Sequence, residues 1–268
     1  MFTFDPNAEY HMPAFFGPRP GSIATRRYNN VTNIMVCYLT DPELLAKYIP
    51  APFVVAEVPM ITVTYTCAKE VDWLAGRGYN MVGVNAAVKF LGEEDQLEGY
   101  LTLVMWENLA DPILTGREIK GVPKVYADIP DHQVIKSEWR ANASHFSNRI
   151  LEIKAGNLTA LSAAQIAENK KSMAGKDHSM GWKYIPNSNG VGTALSHPVL
   201  FPTEAEISEF WVGSGEVNWE HLTWEQNPTQ FHIVNALADL PNLGYVFTAV
   251  SKGSTVLEPI GRPVRILK

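Results

Sequence analysis

Two cysteines in 268 residues, Cys37 and Cys67, leave no disulfide framework and no four-cysteine zinc site. No apolar run reaches the roughly 18 residues that read as a membrane-spanning helix. The amino terminus, Met1-Phe-Thr-Phe-Asp-Pro-Asn, lacks the basic stretch and apolar core of a signal peptide. These absences predict a cytoplasmic protein, in which the glycosylation-type triplets at Asn30, Asn142 and Asn157 are chance matches. Positive charge is also scarce, with 22 Lys and Arg against 28 Asp and Glu and a net charge of −6. Such a chain lacks the electrostatic footprint of a nucleic-acid binder, and an anionic substrate needs a local positive pocket. The seven histidines, from His11 to His232, show no HExxH, no HxH and no helical three- or four-residue spacing, so no metal is predicted. No GxxxxGK[ST] or GxSxG occurs. Gly76-Arg-Gly78 lacks the third glycine of a dinucleotide loop, and Ser214 within Gly213-Ser-Gly215 reads as a turn.

What is present is apolar and strand-forming. The chain is 46% hydrophobic, with 7 Trp, 10 Tyr and 11 Phe, enough for a large core or an aromatic-walled cavity. Prolines 6, 13, 18 and 20 with Gly17 and Gly21 make residues 1–22 an extended arm. Strand-like runs follow at Val31–Leu39, Phe53–Val58, Met60–Cys67, Tyr79–Phe90 and Tyr100–Trp106, the last two joined by a polar hairpin turn at Gly92–Gln96. Asp41-Pro42-Glu43 starts a short helix that Pro50 stops. Thr159–Met173 is helical, capped by Thr159 or Ser162, and a further short helix is expected near Val234–Asp239. Strands resume past Gly190, with turns at Gly213–Gly215 and Pro241-Asn242. Neither a repeat nor a linker divides the chain, which predicts one mainly β domain over residues 1–268.

One segment carries chemistry: Asp111-Pro-Ile-Leu-Thr-Gly-Arg-Glu-Ile-Lys-Gly-Val-Pro-Lys-Val-Tyr-Ala127. Lys124 follows a proline and precedes Val-Tyr-Ala in an apolar stretch. A lysine there either snorkels to water from a strand end or is buried. Burial without a carboxylate partner disfavours the ammonium, and imine formation with a carbonyl needs the neutral amine.

The segment resembles the lysine motif of the acetoacetate decarboxylase superfamily, in which a Gly-Arg-Glu stretch leads into Pro-Lys and that lysine forms the Schiff base. Further similarities are Thr40-Asp-Pro-Glu-Leu-Leu-Ala-Lys-Tyr-Ile-Pro50 with the turn continuing to Pro52, Tyr184-Ile-Pro-Asn187, and Leu237-Ala-Asp-Leu-Pro241. Together they span about residues 30 to 266. The resemblance implies an α+β, mainly antiparallel-β fold: a cone-shaped closed β-barrel packed with a curved sheet and a few helices, the lysine pointing into its cavity. It also implies a homo-oligomer of four or more chains, a small keto acid as substrate, and no metal or organic cofactor, because the lysine itself is the electron sink.

The sequence departs from that family at telling positions. The second lysine that directly follows the imine-forming one is Val125 here, and Lys120 replaces it only if its loop folds back. The family's strand arginine falls at Val31, and its two glutamates fall near Thr64 and close to Arg77; Arg26 and Arg27 precede the first strand. An imine at Lys124 lets a β-keto acid lose its carboxylate, or lets pyruvate form an enamine that attacks an aldehyde and then loses water. Either route needs a proton shuttle, for which Glu118, Tyr245 and Tyr65 are candidates. Glu118 has the alternative role of pairing with Arg117, which is itself a substrate-binding candidate, and Tyr245 that of an ordinary core tyrosine. Arg77, flanked by glycines, either holds a carboxylate by a bidentate contact or is a solvated turn residue. The rival from another class is a non-catalytic binding barrel with a snorkelling Lys124.

Overall fold

The computed structural model describes residues 1–18, 26–259 and 262–268. In chain order the strands are β1 (Arg27–Leu39), β2 (Phe53–Val55), β3 (Met60–Val71), β4 (Tyr79–Leu91), β5 (Gln96–Glu107), β6 (Lys124–Tyr126) and β7 (Gln133–Ile135), then β8 (Glu138–His145), β9 (Asn148–Ala160), β10 (His178–Pro186), β11 (Thr193–Leu200), β12 (Thr203–Trp219), β13 (Gly244–Leu257) and β14 (Arg265–Ile266). The helices are α1 (Pro42–Ala46), α2 (Ala110–Thr115), α3 (Ala163–Met173) and α4 (Phe231–Ala238). Local chemistry sets several boundaries. The Asp41 carboxylate accepts from the Glu43 and Leu44 amides, starting α1. Ser162 and Gln165 form a capping box at α3, so Thr159 stays in β9 instead of opening that helix. Gly213–Gly215 forms no turn: it lies inside β12, where the register with β9 shifts between Val212 and Ser214. The start of the arm holds an aromatic cluster, with Phe2 edge-on to Phe4, Tyr10 and Phe15. Arm residues 19–22 lie outside the described residues.

The strands form one mainly antiparallel sheet in the order β14-β11-β10-β5-β4-β3-β1-β13-β12-β9-β8-β7, with β2 paired to β4 and β6 paired parallel to β5. The fold is α+β, but the expected closed barrel is not formed by hydrogen bonds, since among the described residues the ladder ends at β14 and β7. The run β13-β1-β3-β4-β5-β6 curls far enough for side chains to bridge its seam. Lys120, just before β6, pairs with Glu258, just after β13. Leu109 and Leu257, from the two sides, pack on one small apolar cluster of Tyr28, Val31, Ala68, Val71 and Tyr79.

Strand alternation divides this run into two faces. On β4, Val82, Val84, Ala86 and Val88 enter the main core with Tyr38, Tyr65 and Trp106. Alternate residues line a bowl, whose pairing defines rows. The row Ser251–Asn33–Thr66–Met81–Glu107 lies above the small cluster. Above it lies Ala249–Met35–Thr64–Gly83–Met105–Lys124, and then Cys37–Thr62–Asn85–Thr102.

Candidate active site

The segment between β5 and β6 delivers the lysine to the bowl. After α2 the chain makes a π-helical turn, Gly116–Lys120, and ends it at Gly121 in the left-handed region with φ 71°. A side chain at Gly121 would also meet Lys183 Cβ at 2.6 Å. Gly116 is needed for a different reason: a Cβ there would sit 2.5 Å from Lys124 Cδ, on the path of the lysine stem. Pro123 opens β6, where its missing N–H costs no ladder bond, and its carbonyl accepts from the Met105 amide. Arg117 donates from Nη1 to the Lys124 carbonyl at 2.8 Å, fixing the backbone at the lysine. The motif's two glycines, arginine and proline thus all serve to place one amine.

That amine is buried rather than snorkelling. Lys124 Nζ donates to the Pro112 carbonyl at 3.1 Å and lies 2.7 Å from Glu107 Oε1. The Glu107 side chain is wholly buried, and the Lys124 side chain is 11% exposed. Neither Glu107 oxygen accepts a directed hydrogen bond among the described residues. The short contact is therefore an ion pair off the line of a hydrogen bond. Burial pushes the Glu107 carboxyl above its usual range, although the lysine charge and contact pull it back. A carboxylate with raised proton affinity beside an amine is a base placed to take the proton that the ammonium must lose.

Below the pair lie two buried phenols. The Tyr28 and Tyr79 oxygens are 3.0 Å apart, and Trp73 Nε1 donates to Tyr28 at 3.2 Å. Burial raises both phenols, and the Glu107 charge adds to the rise in each.

The other positions weighed in the sequence separate sharply. Arg117 and Glu118 share the π-helical turn; Glu118 is half-buried and forms no ion pair with Arg117 among the described residues. Tyr65 lies on the core face, accepting from the His132 amide at 2.9 Å and donating to the Pro130 carbonyl at 3.3 Å, with its phenol raised by burial. Tyr245, paired with Tyr38, is held by the Val217 backbone and lines a separate cavity of about 710 Å³ with Lys154 and Glu216. Arg77 is an exposed turn residue whose guanidinium donates to the Leu74 carbonyl. Arg26 pairs with Glu258, and Arg27 with Glu206 and Ser254, so neither reaches the amine. Lys120 pairs with Glu258. Val125 packs against the main core, because neighbours on a strand face opposite ways; a lysine there would not lie beside Nζ. Thr64 is in the lysine's own row, whereas Val31 belongs to the closed end of the bowl.

Glu107 is the residue the sequence reading missed. Its signal was of the same kind as that of Lys124: a charged residue next to an apolar run, here Leu101–Trp106. An apolar cavity of about 370 Å³ opens along the β5 edge, walled by Leu101, Leu103, Pro123, Trp182 and His232. It touches the lysine's neighbour Pro123 but not the amine. Among the described residues no group of three His, Cys, Asp or Glu is placed to hold a metal ion, and no helix is long and apolar enough to cross a membrane.

Comparison with known proteins bears on the family and the fold. The family model for acetoacetate decarboxylase (ADC) matches residues 11–254. A curated relative, acetoacetate decarboxylase 1 of Bradyrhizobium diazoefficiens, is 36% identical over 121 residues, which is 44% of this chain and 44% of that protein. The match therefore spans under half of the relative's length. The acetoacetate decarboxylase structure from Legionella pneumophila superposes with a TM-score of 0.74 at 19% identity, covering 100% of this chain and 98% of that one. The enduracididine biosynthesis enzyme MppR, complexed with pyruvate, gives a TM-score of 0.69 at 14% identity, covering 97% and 98%.

Proposed function

Because the chain belongs to the acetoacetate decarboxylase family, we propose that Lys124 condenses with the ketone of a small keto acid and that the chain is a Schiff-base carbon–carbon lyase. The observation that carries this reading is the buried ammonium 2.7 Å from the buried Glu107 carboxylate. Glu107 takes a proton from the ammonium, and the neutral amine adds to the ketone carbon to give a carbinolamine. Loss of water leaves the iminium. With a β-keto acid of the acetoacetate kind, the bond to the carboxylate breaks and its electrons flow into the iminium, releasing CO2 and an enamine. Protonation at carbon and hydrolysis then return the ketone and the free lysine. Glu107 is the group within reach to hold and return the proton.

A second reading is favoured by one observation: Val31 and Thr64 stand where the resemblance puts the decarboxylase's arginine and first glutamate. With pyruvate, the same lysine loses a proton from the α-carbon of its iminium to give an enamine. That enamine attacks an aldehyde, and dehydration follows. MppR has been captured with the condensation product of pyruvate and imidazole 4-carboxaldehyde.

Borohydride trapping with acetoacetate and with pyruvate, read by intact mass and peptide mapping, tests the proposal. The expected result is a reduced adduct on Lys124 that disappears in Lys124→Arg, with the faster-labelling acid selecting the branch. A folded sample that yields no adduct across a wider carbonyl panel overturns the lyase reading in favour of a binding barrel.

A further inference from the structure

Gly83 lies in mid-strand on β4, buried, and its φ is outside the left-handed region. A glycine there is less stable than alanine unless something needs the room. At Gly78, Gly99, Gly181, Gly215 and Gly253 the protein supplies the reason, since an added Cβ would meet neighbouring backbone at under 3.0 Å. At Gly83 no such atom exists. The nearest are Met105 Cε at 3.5 Å and Asn85 Nδ2 at 3.7 Å, both ordinary contacts. Gly156 also has room, but it is half-exposed. The fold thus leaves room for at least a methyl-sized group over Gly83, bordered by two side-chain tips and no backbone.

Its position gives the space a use. Met105 pairs with Gly83 on one side and with Lys124 on the other, so the opening lies two strand spacings, about 10 Å, from the lysine backbone. That distance is within the combined reach of a lysine side chain and a short keto acid. The opening also carries a directed donor. Asn85 Oδ1 accepts from Thr102 Oγ1 at 2.8 Å, which turns its Nδ2 toward the space with no acceptor among the described residues. The row around it offers Thr64, Ala249 and Met35 and no guanidinium.

We propose that the space over Gly83 is the subsite for the carboxylate end of the keto acid, with Asn85 Nδ2 donating to a carboxylate oxygen and Met105 forming the apolar wall. This rests on the reading of Lys124 as the imine-forming residue. Asn85 then sets the preference for a keto acid over a simple ketone, through a neutral donor.

The test is reductive trapping at Lys124 as a function of concentration, with acetoacetate, pyruvate and the neutral ketone 2-butanone. Asn85→Leu should raise the half-saturating concentration of both acids by about tenfold, leaving that of 2-butanone within about twofold. A merely structural role of Asn85 would move all three together. Gly83→Ala, whose new Cβ meets nothing closer than 3.5 Å, should melt no lower than wild type yet weaken acid trapping, so it keeps the test valid if Asn85→Leu folds poorly. Wild-type half-saturation for the acids in both variants overturns the subsite while leaving the imine intact. Failure of the wild type to trap any of the three, or a wider carbonyl panel, removes the lysine reading itself.

Discussion

Trp106 and Glu107 are consecutive on β5 and both wholly shielded from water, yet they sit in opposite environments. Trp106 faces the core, and its Nε1 donates to Gln230 Oε1 at 2.7 Å. Gln230 passes the pattern on to the Tyr126 carbonyl at 2.8 Å, and the Trp219 ring lies 6.3 Å away. Glu107 faces the bowl with one cation near it and no directed hydrogen bond. Buried polar groups are normally paired, and leaving one unpaired is unfavourable. One face of the strand has its polar groups satisfied and serves stability. The other face, with β4 and β6 beside it, leaves the Glu107 carboxylate and the Asn85 amide donor without a directed partner among the described residues.

The contrast can be broken from either side. Trp106→Ala should destabilise the fold by about 3–5 kcal/mol in urea denaturation, through the cavity and the lost partner of Gln230. A cost under about 1 kcal/mol would mean that the core face is not the stabilising one. Glu107→Gln should have a smaller effect, about 1–3 kcal/mol, and one that depends on pH. Burial raises the folded-state pKa of Glu107, so the folded chain binds that proton more tightly than the unfolded chain. Its contribution is full at low pH and is lost as pH rises through the elevated value. The stability of wild type relative to Glu107→Gln should therefore fall as pH climbs out of the ordinary carboxylate range. A difference that grows with pH would show the ion pair, not desolvation, to dominate. Tyr65→Phe is the mildest change, costing about 1–2 kcal/mol by stripping partners from the His132 amide and the Pro130 carbonyl. Trapping at Lys124 should stay within about twofold of wild type, because Tyr65 belongs to the core face.

The sequence revealed positions along the chain better than sides of a strand. Asp41 and Ser162 announced their helices by cap chemistry, and the runs of β1, β3, β4 and β5 were legible to within a few residues at most ends. Lys124 was legible through its motif, whose glycines, arginine and proline prove to be packing and backbone requirements of one turn. Tyr65, Tyr245 and Arg77 were chosen for side-chain type, and type does not say which face a residue occupies. Thr64 and Tyr65 are adjacent, and only the pairing register puts the first in the lysine's row. Glu107 escaped because the strand was read as ending at Trp106, one residue short. Strand order was beyond local reading altogether, since the partners of β13 lie more than 200 residues away on β1 and about 40 to 55 away on β12. The same gap hid the failure of the barrel to close.

The Lys120–Glu258 contact across the seam has a consequence for how this architecture changes size. A barrel closed by backbone hydrogen bonds has a radius fixed by strand number and stagger, so it can widen only in whole steps. Here, among the described residues, the seam is bridged by side chains, the Lys120–Glu258 pair and the cluster on which Leu109 and Leu257 pack. Side-chain contacts, and not a ladder, span that gap. Substitution at either end can tighten or relax the bore gradually without re-registering a strand. Ligand size thereby becomes a nearly continuous variable, open to adjustment one residue at a time.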